Sequence, residues 1–506
     1  MKALKYIIFV LVGLLLYSCE VDYLANPNEP EIAPTYGIMN RVQKRVMDDT
    51  RDEWFSGRQS ILWVQYWNQV NYTEEDRFQY RETVNQSAWN DLYKNAQDLI
   101  DIIELNTNED TKNDMAKYGP NVNQIAAARI MLVYVYQQAV ELWGNVPYWS
   151  YAGTNPNFQA NKLKTDDIDK PVYASQEDIY LDMLNELDEA QASIITTENM
   201  IDGDNFYGGD AVKWKKFANS LRLRIANRIK GVHPAAAAEI TAAVTAGVFE
   251  SNDDNAGVHY ENNAVNGAPM YRAFVVNARN DFSPSASFVN LLNGVTGPFG
   301  IVDPRINIYV ADNANGYKVG IPLTGSNEQV NAFTDESMPG DAVLAADYTE
   351  LYMEYSEVCF ILSENNGWDQ TWYEKGVRAS MEKWGVATPD IDAYIASLPA
   401  ANEENVLTQK YIALYMQPME AWSEYRRTGY PHTLAKPNVP YTYTYTKADG
   451  TDSVGTYTFS PIGGLTDLPN RNKYLLNEAN INEANVEAAA TAMGGDLQTS
   501  KLWWQP

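Results

Sequence analysis

Four stretches between residues 83 and 232 carry apolar side chains at three- and four-residue steps, and that spacing dictates helices that each have a face to bury. In "VNQSAWNDLYKNAQDLIDIIEL" the stripe is Trp89, Leu92, Ala96, Leu99 and Ile103. "NQIAAARIMLVYVYQQAVELWGNVP" repeats it with Ile125, Ala128, Leu132, Ala139 and Trp143, then breaks at Gly144 and Pro147, as expected beyond a helix end. A third helix runs through "SQEDIYLDMLNELDEAQASI", opened by Ser175 with Asp178 three residues on. In "DAVKWKKFANSLRLRIANRIKGVHP", Asp210 is the N-cap, Trp214, Phe217, Leu221, Ile225 and Ile229 form the stripe, and Gly231 and Pro234 end it. Helices of about twenty residues with unpartnered faces must stack on one another, and small alanines where neighbours approach point to hairpins of the tetratricopeptide kind. The strict repeat signature is missing, so the repeats are degenerate.

The texture changes between about 250 and 345, where Asn, Gly, Pro and Ser dominate and a loop-rich insertion with short strands is expected. Helical spacing returns at 347–385 and 405–428. "YTYTYTKADGTDSVGTYTF" alternates Tyr and Thr on either side of Asp449-Gly450, which predicts a β-hairpin. The fold class is therefore mostly α: a helical-hairpin scaffold, an α-α superhelix, with a loop-rich insertion and minor β-hairpins.

The N-terminus sets the compartment. Lys2 and Lys5 precede an apolar run, Ile7 to Leu16, that is too short to span a bilayer and suits an export signal. Leu16, Ser18 and Cys19 in "LLLYSCE" match the cleavage site of a bacterial lipoprotein, Tyr17 being bulkier than usual, so Cys19 is the expected lipid-attachment residue. The expected organisation is a signal peptide at 1–18, a flexible lipid-anchored tether at 19–35 with Pro27, Pro30 and Pro34, and one domain at 36–506. With Cys19 acylated, Cys359 in "VCFILS" has no disulfide partner and reads as a small core residue. The chain holds 66 acidic against 38 basic residues, a net charge of −28, which repels nucleic acid and anionic membranes.

Enzyme motifs are missing. No Gly is followed by Lys as a P-loop needs, no glycines have dinucleotide-loop spacing, and His233, His259 and His432 are too scattered for a zinc site. Carboxylate pairs suited to glycoside hydrolysis arise by chance among so many acids. Glu420 and Glu424, four apart beside Arg426 and Arg427 and ahead of Gly429 and Pro431, read as ion pairs at a helix end. Asp202, Asp204 and Asp210 lack the order of a calcium loop and read as a capped turn. No cofactor and no metal are called for.

Aromatic and amide chemistry remains. With 34 Tyr and 13 Trp, the chain has more rings than a core requires. "LWVQYWNQVNYTEEDRFQYRE" gathers Trp63, Tyr66, Trp67, Asn68, Tyr72, Phe78 and Tyr80 around polar breaks, and flat rings with polar edges suit sugars. Trp63 and Tyr66 are expected in the core. Trp67 and Tyr72 read equally well as core or as ligand contacts, and Asn68 and Tyr80 join them as candidates. A second stretch, "MYRAFVVNARNDFSPSASF", adds Tyr271, Arg279 and Asp281 from the insertion, since loops carry binding groups.

Several markers in order along the chain resemble the SusD/RagB family of Bacteroidetes outer-membrane nutrient-binding lipoproteins, in a divergent branch. They are "LYSCE", "AARIMLVYVYQQAVELWGNVPY", "KWKKFANSLRLRIANRI", the "DPR" at 303–305, "SEVCFILSEN", "QKYIALYMQPMEAWSEYRRTGYP" and "RNKYLLNEAN". The resemblance implies four tetratricopeptide-like pairs, a variable ligand-binding insertion, and a non-catalytic lipoprotein of the outer membrane facing the cell exterior. It also implies a glycan or other nutrient as ligand and a SusC-like TonB-dependent β-barrel as partner. Glu20 and Asp22 after Cys19 look like the family's surface-export signal. A surface-tethered glycoside hydrolase and a peptide-binding member of the same family are the competing readings.

Overall fold

The computed structural model describes residues 32–162, 167–324 and 326–506; Cys19 and the expected signal peptide lie outside these residues. Helix α1, Thr35–Thr50, starts at the last residue assigned by sequence to the tether. It packs on α2, Glu82–Thr107, and from there each helix packs on the next: α3, Asn121–Trp143; α4, Gln176–Ser193; α5, Ala211–Ile229; α6, Ala236–Ala246. Helix α7, Tyr355–Asn365, returns to α5 and receives α8, Gln370–Lys383, and α10, Glu403–Ala413, with α9, Thr388–Ser397, on the outer side of α8. A further helix, α11, Pro418–Thr428, packs on α10 and ends at Gly429, whose φ of 78° suits a residue without Cβ. The architecture is the mostly helical, tetratricopeptide-like scaffold that the periodicity predicts.

The caps form as the residue types dictate. Ser175 Oγ accepts from the Asp178 N–H at 3.1 Å and donates to its carboxylate at 2.7 Å. Asp210 accepts from the N–H groups of Val212 and Lys213. Asp204 turns inward, taking N–H bonds from Phe206, Tyr207, Gly209, Gln43 and the Trp214 indole, so the acidic turn is held by hydrogen-bond donors. Cys359 is buried in α7, and burial pushes its thiol up to about 12.

Two helices are more enclosed than their stripes imply. Residues on every side of α3 are buried, because α2, α4, α1 and α5 all pack against it. Its polar members must then find partners inside, and Glu141 finds Arg228 of α5. The fully buried Arg228 guanidinium also binds Glu420 at 2.5 Å and Glu424 of α11, while Glu424 takes Lys410 and Arg427 and Arg427 takes Glu364. Glu420 and Glu424 are structural, and they belong to an interior cluster joining five helices, α3, α5, α7, α10 and α11. The expected helix-end pairing is present as Glu424 with Arg427, and the partners distant in sequence add the rest.

Among the described residues strands are few and short, and they come as three antiparallel pairs. Strand β1, Trp67–Gln69, pairs with β3, Phe282–Pro284; β2, Ala256–His259, pairs with β4, Thr349–Met353; β5, Tyr441–Thr446, pairs with β6, Asp452–Tyr457. The last is the Tyr/Thr hairpin, which lays Tyr443 on Ala286 and Val319.

Candidate functional site

The β1–β3 ladder joins the two aromatic stretches that the sequence offered separately. Trp67 faces Pro284, Asn68 faces Ser283 and Gln69 faces Phe282. The Val70 N–H then bonds the Asp281 carbonyl at 2.7 Å, carrying the pairing one step beyond the strands. The two chains continue outward from this point, one to Tyr72 and the other back to Arg279.

Within the ladder, side chains face the core. Trp67 has no exposed surface: its indole donates to the Tyr415 hydroxyl at 2.9 Å and its ring packs on Phe274 and Phe282. Asn68 is buried too, donating to the Ile321 carbonyl at 3.0 Å. Neither presents a surface to a solute: Trp67 takes the core alternative of its two readings and Asn68 is buried beside it, because a strand flanked by core on both sides buries every residue. Trp63 and Tyr66 are in the core as expected, Tyr66 stacked on Tyr411. Tyr80 is half-buried at the start of α2, its hydroxyl donating to Glu82 at 2.8 Å and accepting from Asn85 at 2.7 Å, with Lys473 over its ring. Tyr271 is half-buried against the core and against Gly267.

Tyr72 is 51% exposed. The loop that presents it is pinned at several points. The Gln69 N–H bonds the buried Asp76 carboxyl at 2.9 Å, and Thr73 Oγ1 donates to Asn327 of the insertion at 2.7 Å. Glu75 accepts from Gln69 Nε2 and Arg58 at 2.9 Å each and from Arg81. Burial works against the Glu75 charge, but the bonds from Gln69 and Arg81 and the charges of Arg81 and Arg58 outweigh it and hold the carboxyl below its ordinary range. An exposed tyrosine on a loop tied this way loses little entropy on meeting a ligand.

Arg279 is fixed as well. Its Nε and Nη2 both donate to Asp281 Oδ2, at 2.9 and 2.7 Å. The Asp281 bonds and charge raise the Arg279 pKa, burial opposes slightly, and the charges of Glu53 and Tyr72 add to the rise. Glu53 brings its neighbour Trp54, 40% exposed, whose ring lies 5.1 Å from the Arg58 guanidinium. The turn at 53–58 also touches β3, since a Cβ on Gly57 would meet the Phe282 ring at 3.0 Å. Val275 and Val276, both exposed, precede Arg279, whose N–H bonds the Ala273 carbonyl at 2.9 Å. Trp54, Tyr72 and Arg279 are thus carried by three stretches that meet at one end of one ladder.

Sequence reasoning missed Trp54. The signal was present: a Trp beside Asp52 and Glu53, just past a helix end, without an apolar partner at helical spacing. Asp52 has its carboxyl raised to about 7 by burial, and its Oδ1 accepts from the Phe55 N–H at 2.8 Å, closing the turn that displays Trp54. Asp281, held by Arg279, likewise has a job within the protein. Among the described residues no group of three or more His, Cys, Asp or Glu is placed to hold a metal. No helix among them is long and apolar enough to cross a membrane.

Residues 27–447 match the family model described as starch-binding, associating with the outer membrane. The chain belongs to the SusD-like family. Residues 399–505 match a second family model, described as SusD and RagB outer membrane lipoprotein. Solved structures agree over nearly all of the SusD-like chain. A chitin-binding protein is 26% identical with a TM-score of 0.72, covering 93% of this chain and 100% of its own. A chitin-binding SusD homolog from Flavobacterium johnsoniae is 25% identical with a TM-score of 0.69, over 93% and 98%. A SusD homolog from Parabacteroides distasonis, 22% identical with a TM-score of 0.74 over 93% and 98%, shares the fold. No curated protein sequence matches this SusD-like chain.

Proposed function

We propose that this chain is a non-catalytic surface lipoprotein of the outer membrane that captures a glycan on the Trp54–Tyr72–Arg279 platform and passes it to a SusC-like TonB-dependent β-barrel. The observation that carries the reading is the meeting of two exposed rings and a fixed guanidinium at the end of the β1–β3 ladder. A pyranose offers C–H groups on its faces to rings and hydroxyls at its rim to N–H donors, and this set supplies both. Family membership and two chitin-binding structural neighbours support a β-linked, N-acetylated glycan as the first ligand to try. The acidic surface favours a neutral polymer over a sulfated or uronic one.

In this reading Cys19 carries the lipid, and the residues after it tether the body over the mouth of the barrel, which closes when ligand fills the space between them. The test has two arms. A glycan array probed with the mature protein should select chitin or starch fragments over peptides and anionic polymers. Tagged protein drawn from its native outer membrane in mild detergent should bring a large β-barrel with it in near-equal amount. Peptide selection would support the peptide-binding alternative, release of shortened sugars would support the hydrolase, and recovery of the lipoprotein alone across several detergents would remove the barrel from the account.

A further inference from the structure

A second cleft opens far along the chain from the platform. It is lined from the β2–β4 pair, the turn at 342–348, the end of α8 and the loop at 205–206, and it shares no residue with Trp54, Tyr72, Arg279 or the β1–β3 ladder. Its volume is about 670 Å³, within the range of roughly 300–1,000 Å³ usual for small-molecule sites.

Two of its walls are rings. Tyr348 and Trp384 stack at 5.8 Å between centroids with 27° between planes, and both line the cleft. Both rings are half-buried, so part of each is open to the cleft. The polar lining is mainly amide, hydroxyl and imidazole, with His259 and Thr349 already joined at 3.0 Å.

The charges say which molecules are unsuited. Lys383 lines the cleft, but its ammonium is bound by the buried Glu354 carboxylate and sits 5.0 Å over the Trp384 ring, so it offers no free cation to a phosphate or carboxylate. Asp347 at the wall and the overall charge of −28 oppose anions further. What fits is an uncharged molecule with an apolar face for the rings and oxygen acceptors at its edge.

We infer that this cleft is a second saccharide site, taking a neutral unit of one or two pyranose rings, with Trp384 and Tyr348 against the sugar and the amide, hydroxyl and imidazole groups of the lining meeting its oxygens. The ligand class rests on the glycan reading above, whereas the site does not depend on the platform.

The probes are N,N′-diacetylchitobiose and maltose, titrated calorimetrically into the detergent-solubilised mature protein, with a hexasaccharide of each series run in parallel. A Trp54→Ala/Tyr72→Ala background removes the platform. In that background one of the disaccharides should still bind, and Ala342→Trp, which fills the cleft from an exposed wall position, should weaken it at least tenfold. His259→Trp, from β2, is the second blocking variant, and the melting temperature of each is checked so that a misfolded protein is set aside in favour of the other. If the background variant binds no disaccharide while the wild type binds the hexasaccharide, the cleft is overturned and the glycan reading stands. Residual binding that neither blocking variant weakens also overturns the cleft. If the wild type binds no saccharide at all, both readings fall.

Discussion

At the residue scale, the separation of Trp67 from Tyr72 shows what a sequence can and cannot say about a ring. Both sit in the same aromatic stretch, and nothing local tells which is inside. Five residues decide it, because the chain leaves a ladder buried on both faces and enters a loop pinned by Glu75 and Asp76. Trp67→Ala should cost about 3–5 kcal/mol, as large core truncations do, while Tyr72→Ala should leave stability within about 0.5 kcal/mol and act on binding; urea unfolding curves of the two variants check this. Glu350 offers a pH test. Its side chain is buried on β4, and burial raises its carboxyl to about 8 although Arg51, 4.0 Å away, pulls it down. The native state therefore keeps a proton that the unfolded chain releases, and stability falls as pH rises from the ordinary Glu range through about 8. Glu350→Gln should raise the melting temperature near pH 9, change it little near pH 4 and flatten the slope between. An equal loss at all pH values would mean that the carboxylate makes stabilising contacts instead.

At the scale of elements, the helices were legible and the ladder was not, for a physical reason. Helical periodicity is written within a few turns of chain, so the stripe from Trp89 to Ile103 and the caps at Ser175 and Asp210 could be read directly. The β1–β3 pair is three residues long and joins segments roughly two hundred residues apart, so no local pattern announces it. The same distance hid the partner of Glu420 and Glu424, and with it the role of α5 as the hub of α3 and α11. Arg228→Ala should destabilise by about 3–5 kcal/mol, because it leaves Glu141, Glu420 and Glu424 buried together without their shared cation. Arg228→Met with Glu420→Gln should recover part of that loss in the same denaturation assay, since one of the stranded charges is then gone. The Tyr/Thr hairpin was readable for the opposite reason: its turn and both strands lie within one short segment.

For the whole molecule, the platform is an addition to the scaffold. The helices supply a rigid body, and the three stretches that meet at the platform come from the loop after α1, the loop before α2 and the insertion, where ligand-binding groups vary without disturbing the core. Export and anchoring are read from the N-terminal residues alone, so Cys19→Ala should move the protein out of the outer-membrane fraction in a strain lacking the barrel, and persistence there would break the lipoprotein assignment. The central claim is that glycan is held, unaltered, on Trp54, Tyr72 and Arg279. Its most direct measurement is calorimetric titration of a chitin hexasaccharide into the wild type and into Trp54→Ala, Tyr72→Ala and Arg279→Ala, with the sugar recovered from the cell and sized. The account predicts saturable binding by the wild type, a loss of about tenfold or more for each variant at unchanged melting temperature, and a hexasaccharide of undiminished length; equal affinity in all four proteins, or shortened sugars after incubation, would contradict it.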